Sequence, residues 1–386
     1  MKLFCLGGAG RICREAILDL VQFSPATRIT VADINESAGR EVVAWLNDPR
    51  VDYMKTDVQD RAATVAAMRG YDVVMDGTTI ALNGLSTACI AEAGCHGINL
   101  NGFGEEDASD PLFRANSRAC VPGFGMTPGT TQMMAMSAAA QFDTVEIVRV
   151  SHGAYRPIAF SASITETTTY EYDPKLPGRV VFEDGEFKQV PPFARPREIT
   201  LPLPYGTAPQ YIIPHAETKT LAKSLAGKGV RLIEVRGTWP QPNMQLIRPL
   251  YDWGFLRNDK VGVRGVTFGV MEAIAAYLMQ SQEGRETELY GYALHVEVEG
   301  TRQGRRFRHT LTHTHPTSDG SVPDWAGLRA YTRNVGIPLA IGAVMLAEGR
   351  VKQAGVLTPE EAFEPQVVFA ELRKRQLLIH EAIEMV

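Results

Sequence analysis

Cysteine is scarce in this chain and builds no recognisable framework. Cys5, Cys13, Cys89, Cys95 and Cys120 are odd in number, lie in the first third of the 386 residues and never form a CxxC spacing. A disulfide scaffold and a cysteine-rich zinc site are therefore not expected; buried free thiols are. Long apolar runs are missing too. The longest candidate, GIPLAIGAVMLA from Gly336, falls short of the roughly 18 residues that span a bilayer and is bounded by Arg333 and Glu348; it reads as a buried helix. Basic residues are in deficit, 39 Lys and Arg against 44 Asp and Glu, which leaves no electrostatic footprint for nucleic acid. The opening MKLFCLGG has too short an apolar run for a secretory signal and no small-residue cleavage site, so a cytoplasmic protein with no membrane partner is expected. Repeats and low-complexity segments are absent, and 45% hydrophobic with 22% charged residues is an ordinary globular composition.

What is present is an alternation. Over residues 1 to 125 the short runs KLFCLG, RITVADI, VDYMKTD, YDVVMDG, GINLNG and CVPGFG are separated by amphipathic stretches such as RICREAILDLVQF and DRAATVAAMRG. Strand and helix periods in turn predict βαβ units, hence a Rossmann-type doubly wound parallel sheet. Thr127 and Pro128 read as the cap and first residue of a helix, which places a boundary there. From about 144 to 327 longer alternating strands predict a second, α+β domain on a mixed or antiparallel sheet, with ELYGYALHVEVEG and RRFRHTLTHTH forming a hairpin. After Pro323 the chain turns helical and is expected to remain so to the end, with a capping box from Thr358 to Glu361.

Gly8, Ala9, Gly10, Arg11, Ile12 and Cys13 follow the first strand and open a helix. Gly8 allows the tight turn, Gly10 lets the backbone approach a pyrophosphate, and the helix N-terminus offers unpaired N–H groups; Cys13 takes the third glycine position. Asp33 ends the second strand at the place of a ribose ligand. A carboxylate there accepts from both ribose hydroxyls and repels a 2′-phosphate, so NAD is favoured over NADP, with Arg11 and Arg40 the groups that could reach a phosphate. Asp57 and Val58 fall on the adenine side, and Gly77 and Thr78 towards the nicotinamide.

The loop GGAGRI, the strand end VADIN, AGCHGINLNG, GFGMTPGTTQMMA, the RGT of Arg236 to Thr238 and the ending from GIPLAIGAVMLAEGR to KRQLLI together resemble the saccharopine dehydrogenase superfamily, most of all its lysine 6-dehydrogenase branch. The resemblance implies an NAD(P)-dependent oxidoreductase acting on a carbon–nitrogen bond of an amino acid or opine, as a homodimer. It also implies that residues 1–126 and 328–386 form the dinucleotide-binding domain and 127–327 an inserted substrate-binding and dimerisation domain, cofactor and substrate meeting in the cleft between them. Where relatives often read HYVDLGG, this chain has Asn99 in place of the strand-end Asp, which removes a carboxylate from a position that could hold an ammonium.

Such a reaction must take a proton from nitrogen and anchor a carboxylate. Candidate substrate ligands are Asn99, Glu166, Lys219 and Arg236; candidate proton carriers are His152, Tyr155 and Glu217, with Arg156, His215 and Thr218 beside them in sequence. His309, His313 and His315 share one face of a strand, yet a catalytic zinc needs a converging set with an open position, and no metal is expected. The favoured function is lysine 6-dehydrogenase-like oxidative deamination. The alternatives are a saccharopine or opine-type reductase, a homospermidine synthase-like transferase, and a non-catalytic dinucleotide sensor.

Overall fold

The protein is described from a computed structural model that covers all residues except 159–160, 162–164, 166, 169–170, 177, 258, 282–286 and 288. The candidate Glu166 lies outside the described residues. Along the chain the strands are β1 (Lys2–Leu6), β2 (Arg28–Asp33), β3 (Val51–Lys55), β4 (Val73–Asp76), β5 (His96–Asn99), β6 (Ala119–Val121), β7 (Thr144–Tyr155), β8 (Val180–Glu183), β9 (Glu186–Gln189), β10 (Arg197–Leu201), β11 (Gly206–Ile212), β12 (Leu232–Thr238), β13 (Lys260–Val263), β14 (Val266–Gly269), β15 (Gly291–Arg302), β16 (Arg305–Thr314), β17 (Gly355–Val356) and β18 (Leu378–Met385). The chain divides into two compact units, Met1–Ser137 with Thr332–Leu378, and Ala138–Tyr331 with Ile379–Val386.

The first unit is built on a parallel sheet in the order β17-β6-β5-β4-β1-β2-β3, the Rossmann-type architecture that the alternation predicts. Leu3, Phe4, Cys5 and Leu6 of β1 are all buried, as a central parallel strand covered on both faces requires. The helix Arg11–Phe23 buries Cys13, Ala16, Ile17 and Leu20, and on the same side two acids, Glu15 and Asp19. Both acids meet cations from the far end of the chain: Arg333 lies 3.5 Å from Glu15, and Arg375 binds Asp19 with Nε 2.8 and 2.9 Å from the two carboxylate oxygens. Between these pairs Gly336 allows the helix Arg329–Ala347 to touch the first helix closely, since a Cβ there would lie 2.9 Å from the Ala16 nitrogen and the Ile12 oxygen. That long helix is apolar enough to span a membrane by length and composition, but most of it is buried inside the protein.

The second unit carries a mixed sheet in the order β10-β11-β12-β7-β15-β16-β18, with β8 and β9 continuing from β12. β7 runs parallel to β12 and antiparallel to β15. The predicted hairpin is β15 and β16, turning at Gln303 and Gly304, both at positive φ. One sheet face is apolar, with Val148, Val150, Val235, Val296, Val298 and Leu311 buried; the other carries Arg149, Glu234, Glu297 and Glu299 in an ion-pair ladder.

Two expectations need correction. The helix expected from Thr127 begins at Thr130, because Gly129 sits at φ +117, outside helical backbone, and the turn before it bridges Gly125 to Gly129. The chain also does not stay helical to its end: after the helix Pro365–Lys374 it closes as β18 in the second sheet. Ile379, Ile383 and Met385 fall on one side of that strand, with Glu381 among them. The capping box at Thr358 and Glu361 is formed as read, and Gly94, in the left-handed conformation, stops the helix Asn83–Ala93.

Candidate active site

The dinucleotide cradle is made at the carboxyl ends of β1, β2 and β4, the position where open α/β sheets bind ligands. Gly7 turns at φ +67, and a Cβ on it would lie 2.8 Å from the carbonyl of Gly77. A Cβ on Gly8 would come within 2.7 Å of the Cys5 carbonyl oxygen, so only glycine lets the loop lie this close to the sheet. Gly10 caps the helix, and Arg11 and Ile12 are its first residues. Cys13 explains itself through its neighbour: a Cβ on Gly77 would fall 1.9 Å from the Cys13 sulfur, so the bulk absent at Gly77 is supplied by residue 13. Burial and the charges of Asp76 and Asp33 push the Cys13 thiol up to about 12, so it packs rather than reacts.

Asp33 is oriented by backbone. Its two carboxylate oxygens accept from the Ala9 N–H at 3.1 Å and the Asn35 N–H at 2.9 Å, leaving further lone pairs for a ribose diol. Arg40 is paired with Glu36 at 2.8 Å. Asp57 is exposed and accepts from the Gln59 N–H at 3.0 Å, while Val58 is buried in the core beside Phe4 and Leu6. The Thr78 N–H donates to Asp76 at 2.9 Å, which shapes the turn after β4. Glycines that leave a cradle, a helix N-terminus and an oriented carboxylate fit a dinucleotide.

Asn99 corrects an expectation. It is buried, its Nδ2 donates to Asn83 Oδ1 at 3.0 Å and Glu106 Oε1 at 3.1 Å, and its Oδ1 accepts from the N–H groups of Asn101 at 2.9 Å and Gly123 at 3.2 Å. An amide has two donors and one two-fold acceptor, so nothing is left for substrate. The carboxylate missing from position 99 is present as buried Glu106, which also accepts from Asn83 Nδ2 at 2.7 Å and from the Gly102 and Gly104 N–H groups.

In the second unit, His152 projects from β7 onto the face opposite Arg149 and Ser151. Its ring stacks on His215 at 5.6 Å and 27°, on Tyr292 at 5.6 Å and 24°, and meets the edge of Trp239 at 6.0 Å. Gly237 of the RGT segment lies directly across from His152, and a Cβ there would sit 2.8 Å from the imidazole; the glycine is what makes room for the ring. His215, in the turn before the helix Glu217–Ser224, has Nδ1 3.3 Å from Glu217 Oε2. Burial holds His152 down to about 3, whereas Glu217 and Glu171 raise His215 in spite of burial. Glu171, which sequence reasoning missed, lies in the fields of His215, Arg156 and Arg179, and burial raises it. Glu171 Oε2, Arg156 Nε and Arg179 Nη2 are buried polar atoms without a hydrogen-bond partner, a costly state that a polar ligand or ordered water relieves.

Four candidates stand elsewhere. Arg236 is on the opposite sheet face, bidentate with Glu234 at 2.9 and 3.1 Å and bonded to the Arg195 carbonyl. Tyr155 is also on that other face, three residues beyond His152, against Tyr205 at 4.2 Å, and burial pushes its phenol up to about 12. Lys219 is exposed on its helix, whereas Thr218 beside it is buried. Asn99 belongs to the first unit, as above. Of the histidine strand, His309 lies 3.2 Å from Glu381 and His315 binds Tyr205 at 2.8 Å; among the described residues no His, Cys, Asp and Glu cluster is arranged to hold a metal.

Comparison with known proteins is decisive for the family. Residues 3–120 match the saccharopine dehydrogenase NADP binding domain and residues 125–377 the saccharopine dehydrogenase C-terminal domain. The chain belongs to the saccharopine dehydrogenase family. It is a dinucleotide-binding oxidoreductase of that family, with NAD(P) as its cofactor. A carboxyaminopropylagmatine dehydrogenase from Synechocystis is 24% identical over 98% of this chain and 96% of its own length. An alpha-aminoadipic semialdehyde synthase from Arabidopsis thaliana is 33% identical over 108 residues, 27% of this chain and 10% of that protein. The same fold is seen in saccharopine dehydrogenase (L-Glu forming) from Saccharomyces cerevisiae, TM-score 0.73 at 14% identity over 99% of both chains. It recurs in a homospermidine synthase from Legionella pneumophila in complex with NAD, TM-score 0.63 at 12% identity over 99% of this chain and 91% of that one.

Within this family member, Gly237→Ala should reduce turnover about tenfold or more while the dinucleotide Kd stays within twofold, because the added methyl displaces His152 and leaves the first unit untouched. Steady-state kinetics with fluorescence titration of the cofactor checks this.

Proposed function

We propose that this protein is an NAD-preferring dehydrogenase of the saccharopine or opine type, acting at the CH–NH linkage between an amino acid and a second amine- or carbonyl-derived part. The observation that carries this reading is the buried cluster of Arg156, Arg179 and Glu171, whose Nε, Nη2 and Oε2 atoms have no hydrogen-bond partner, beside the His215–Glu217 pair. Guanidinium groups suit a substrate carboxylate, and carboxylates suit an amine. The full-length relative supports a joined substrate over free lysine, since its name unites a carboxyaminopropyl group with agmatine. The lysine 6-dehydrogenase reaction remains the second reading, favoured by the resemblance of the C-terminal segment.

The nicotinamide, when bound, accepts or supplies the hydride. The chain's own residues do the rest: Gly7, Gly8 and Gly10 admit the pyrophosphate to backbone N–H groups, Asp33 holds the ribose, and the second unit's cluster binds and orients the amine. The NAD preference rests on Asp33, whose charge repels a 2′-phosphate. Asp33→Ala should therefore weaken NAD about tenfold and NADP far less; equal losses would remove Asp33 from the ribose site.

The deciding assay follows absorbance at 340 nm with NAD and with NADP against lysine, other amino acids, diamines, saccharopine and further N-(carboxyalkyl) amino acids. Reduction with a secondary amine and none with lysine is the expected result. Reduction with lysine alone would move the assignment to oxidative deamination.

A further inference from the structure

The stacked pair His152 and His215 differs in surroundings more than in position. His152 is enclosed by Tyr292, Trp239 and His215, and its Nδ1 is buried without a hydrogen-bond partner. His215 has a carboxylate 3.3 Å from Nδ1. The charged and titratable groups around the pair are Arg156 from the end of β7, Glu171 from the segment before β8, Glu217 from the helix that follows His215, and Tyr292 from β15.

We propose that His215, oriented by Glu217, exchanges the proton with the substrate nitrogen, and that His152 is a neutral positioning residue that fixes the plane of the His215 ring. The geometry is that of a base held by a third group: carboxylate, imidazole, and a stacked wall that prevents the ring from turning. The electrostatics agree, because Glu217 raises His215 above its ordinary value while burial keeps His152 uncharged. Neighbouring groups driven apart in this way mark separate roles in proton transfer.

This assignment rests on the proposed amine chemistry. In the oxidative direction a secondary ammonium gives one proton to neutral His215. The freed lone pair forms the C=N bond as the C–H bond breaks and its electron pair leaves with the hydride for the oxidised dinucleotide. Water then adds to the iminium and releases a primary amine and a carbonyl compound. The imidazolium formed on His215 is stabilised by Glu217 and returns its proton to solvent.

The test uses the full-length enzyme with saturating dinucleotide and the best amine of the panel above. His215→Asn should lower kcat by 10²- to 10⁴-fold and abolish the acidic limb of the pH–rate profile, with the dinucleotide Kd unchanged as the check that the protein is folded. Glu217→Gln should keep part of the activity and move that limb to lower pH, since the charge that raises His215 is gone. His152→Phe should reduce kcat without moving the limb. In parallel, NMR of ring-labelled histidine should show His215 titrating above the ordinary histidine value and moving down in Glu217→Gln, with His152 silent between pH 5 and 9.

Turnover in His215→Asn equal to the parent, with the acidic limb in place, overturns the proposal and leaves the amine reading intact. A His215 resonance at the ordinary value and indifferent to Glu217→Gln overturns it whether or not the panel yields a substrate. A parent enzyme inert towards every amine is the failure of the amine reading itself, and it takes this assignment with it.

Discussion

Arg375→Ala should cost about 3–5 kcal/mol of stability, the penalty for leaving one member of a buried ion pair alone. Arg375 and Asp19 are almost wholly shielded from solvent, and Arg375 also binds Glu371 at 2.9 Å and lies over the Phe23 ring at 4.4 Å. Burial raises Asp19 even with the guanidinium beside it; without Arg375 the carboxyl must take up a proton or drag water in. Urea unfolding of the variant checks the size. Replacing both partners together, Asp19→Leu with Arg375→Met, should recover most of the loss, because the pair's desolvation disappears with its attraction. A single variant within about 1 kcal/mol of the parent would show that the C-terminal helix is not fastened through this contact.

Asn99→Asp should lower stability by about 2–4 kcal/mol at pH 8, since it sets a second carboxylate against buried Glu106 and removes the donor that Glu106 now uses at 3.1 Å. The new carboxyl, desolvated beside a like charge, would have a folded pKa above its unfolded one of about 3.9. The deficit is therefore absent below the unfolded value and grows as pH rises through the folded one. Melting curves should show the variant much nearer the parent at pH 4.5 than at pH 8, and adding Glu106→Gln should restore much of the loss at pH 8. A deficit independent of pH would point to geometry instead of charge.

The parallel sheet was legible because each of its strands is a short, nearly continuous apolar run before a helix of clear period. The C-terminal strand was not: a charged helix, AELRKRQ, leads into it, and its pairing with the second sheet is a long-range event that local pattern does not carry. The first helix held a signal that is readable in hindsight. Glu15 and Asp19, four apart on the buried stripe, demand cations from elsewhere, and Arg333 and Arg375 meet that demand. At the candidate site His152, His215 and Glu217 could be picked by residue type. Arg236 and Tyr155 could not be rejected, because which side of a strand faces the cluster depends on register, and a shift of one residue reverses it. Glu171 offered no motif at all; only the fold brings it to His215.

The first unit is assembled from two stretches far apart in the sequence, Met1–Ser137 and Thr332–Leu378. On a ribosome adding about 5–20 residues per second, the segment through Ser137 waits on the order of 10–50 s for the helices that end near Leu378. During that interval the side of the first helix that Gly336 later covers, at Ile12 and Ala16, and the acids Glu15 and Asp19 lack their later neighbours. A chain that stops before Arg375 is therefore expected to leave Asp19 buried without its cation and the first unit destabilised.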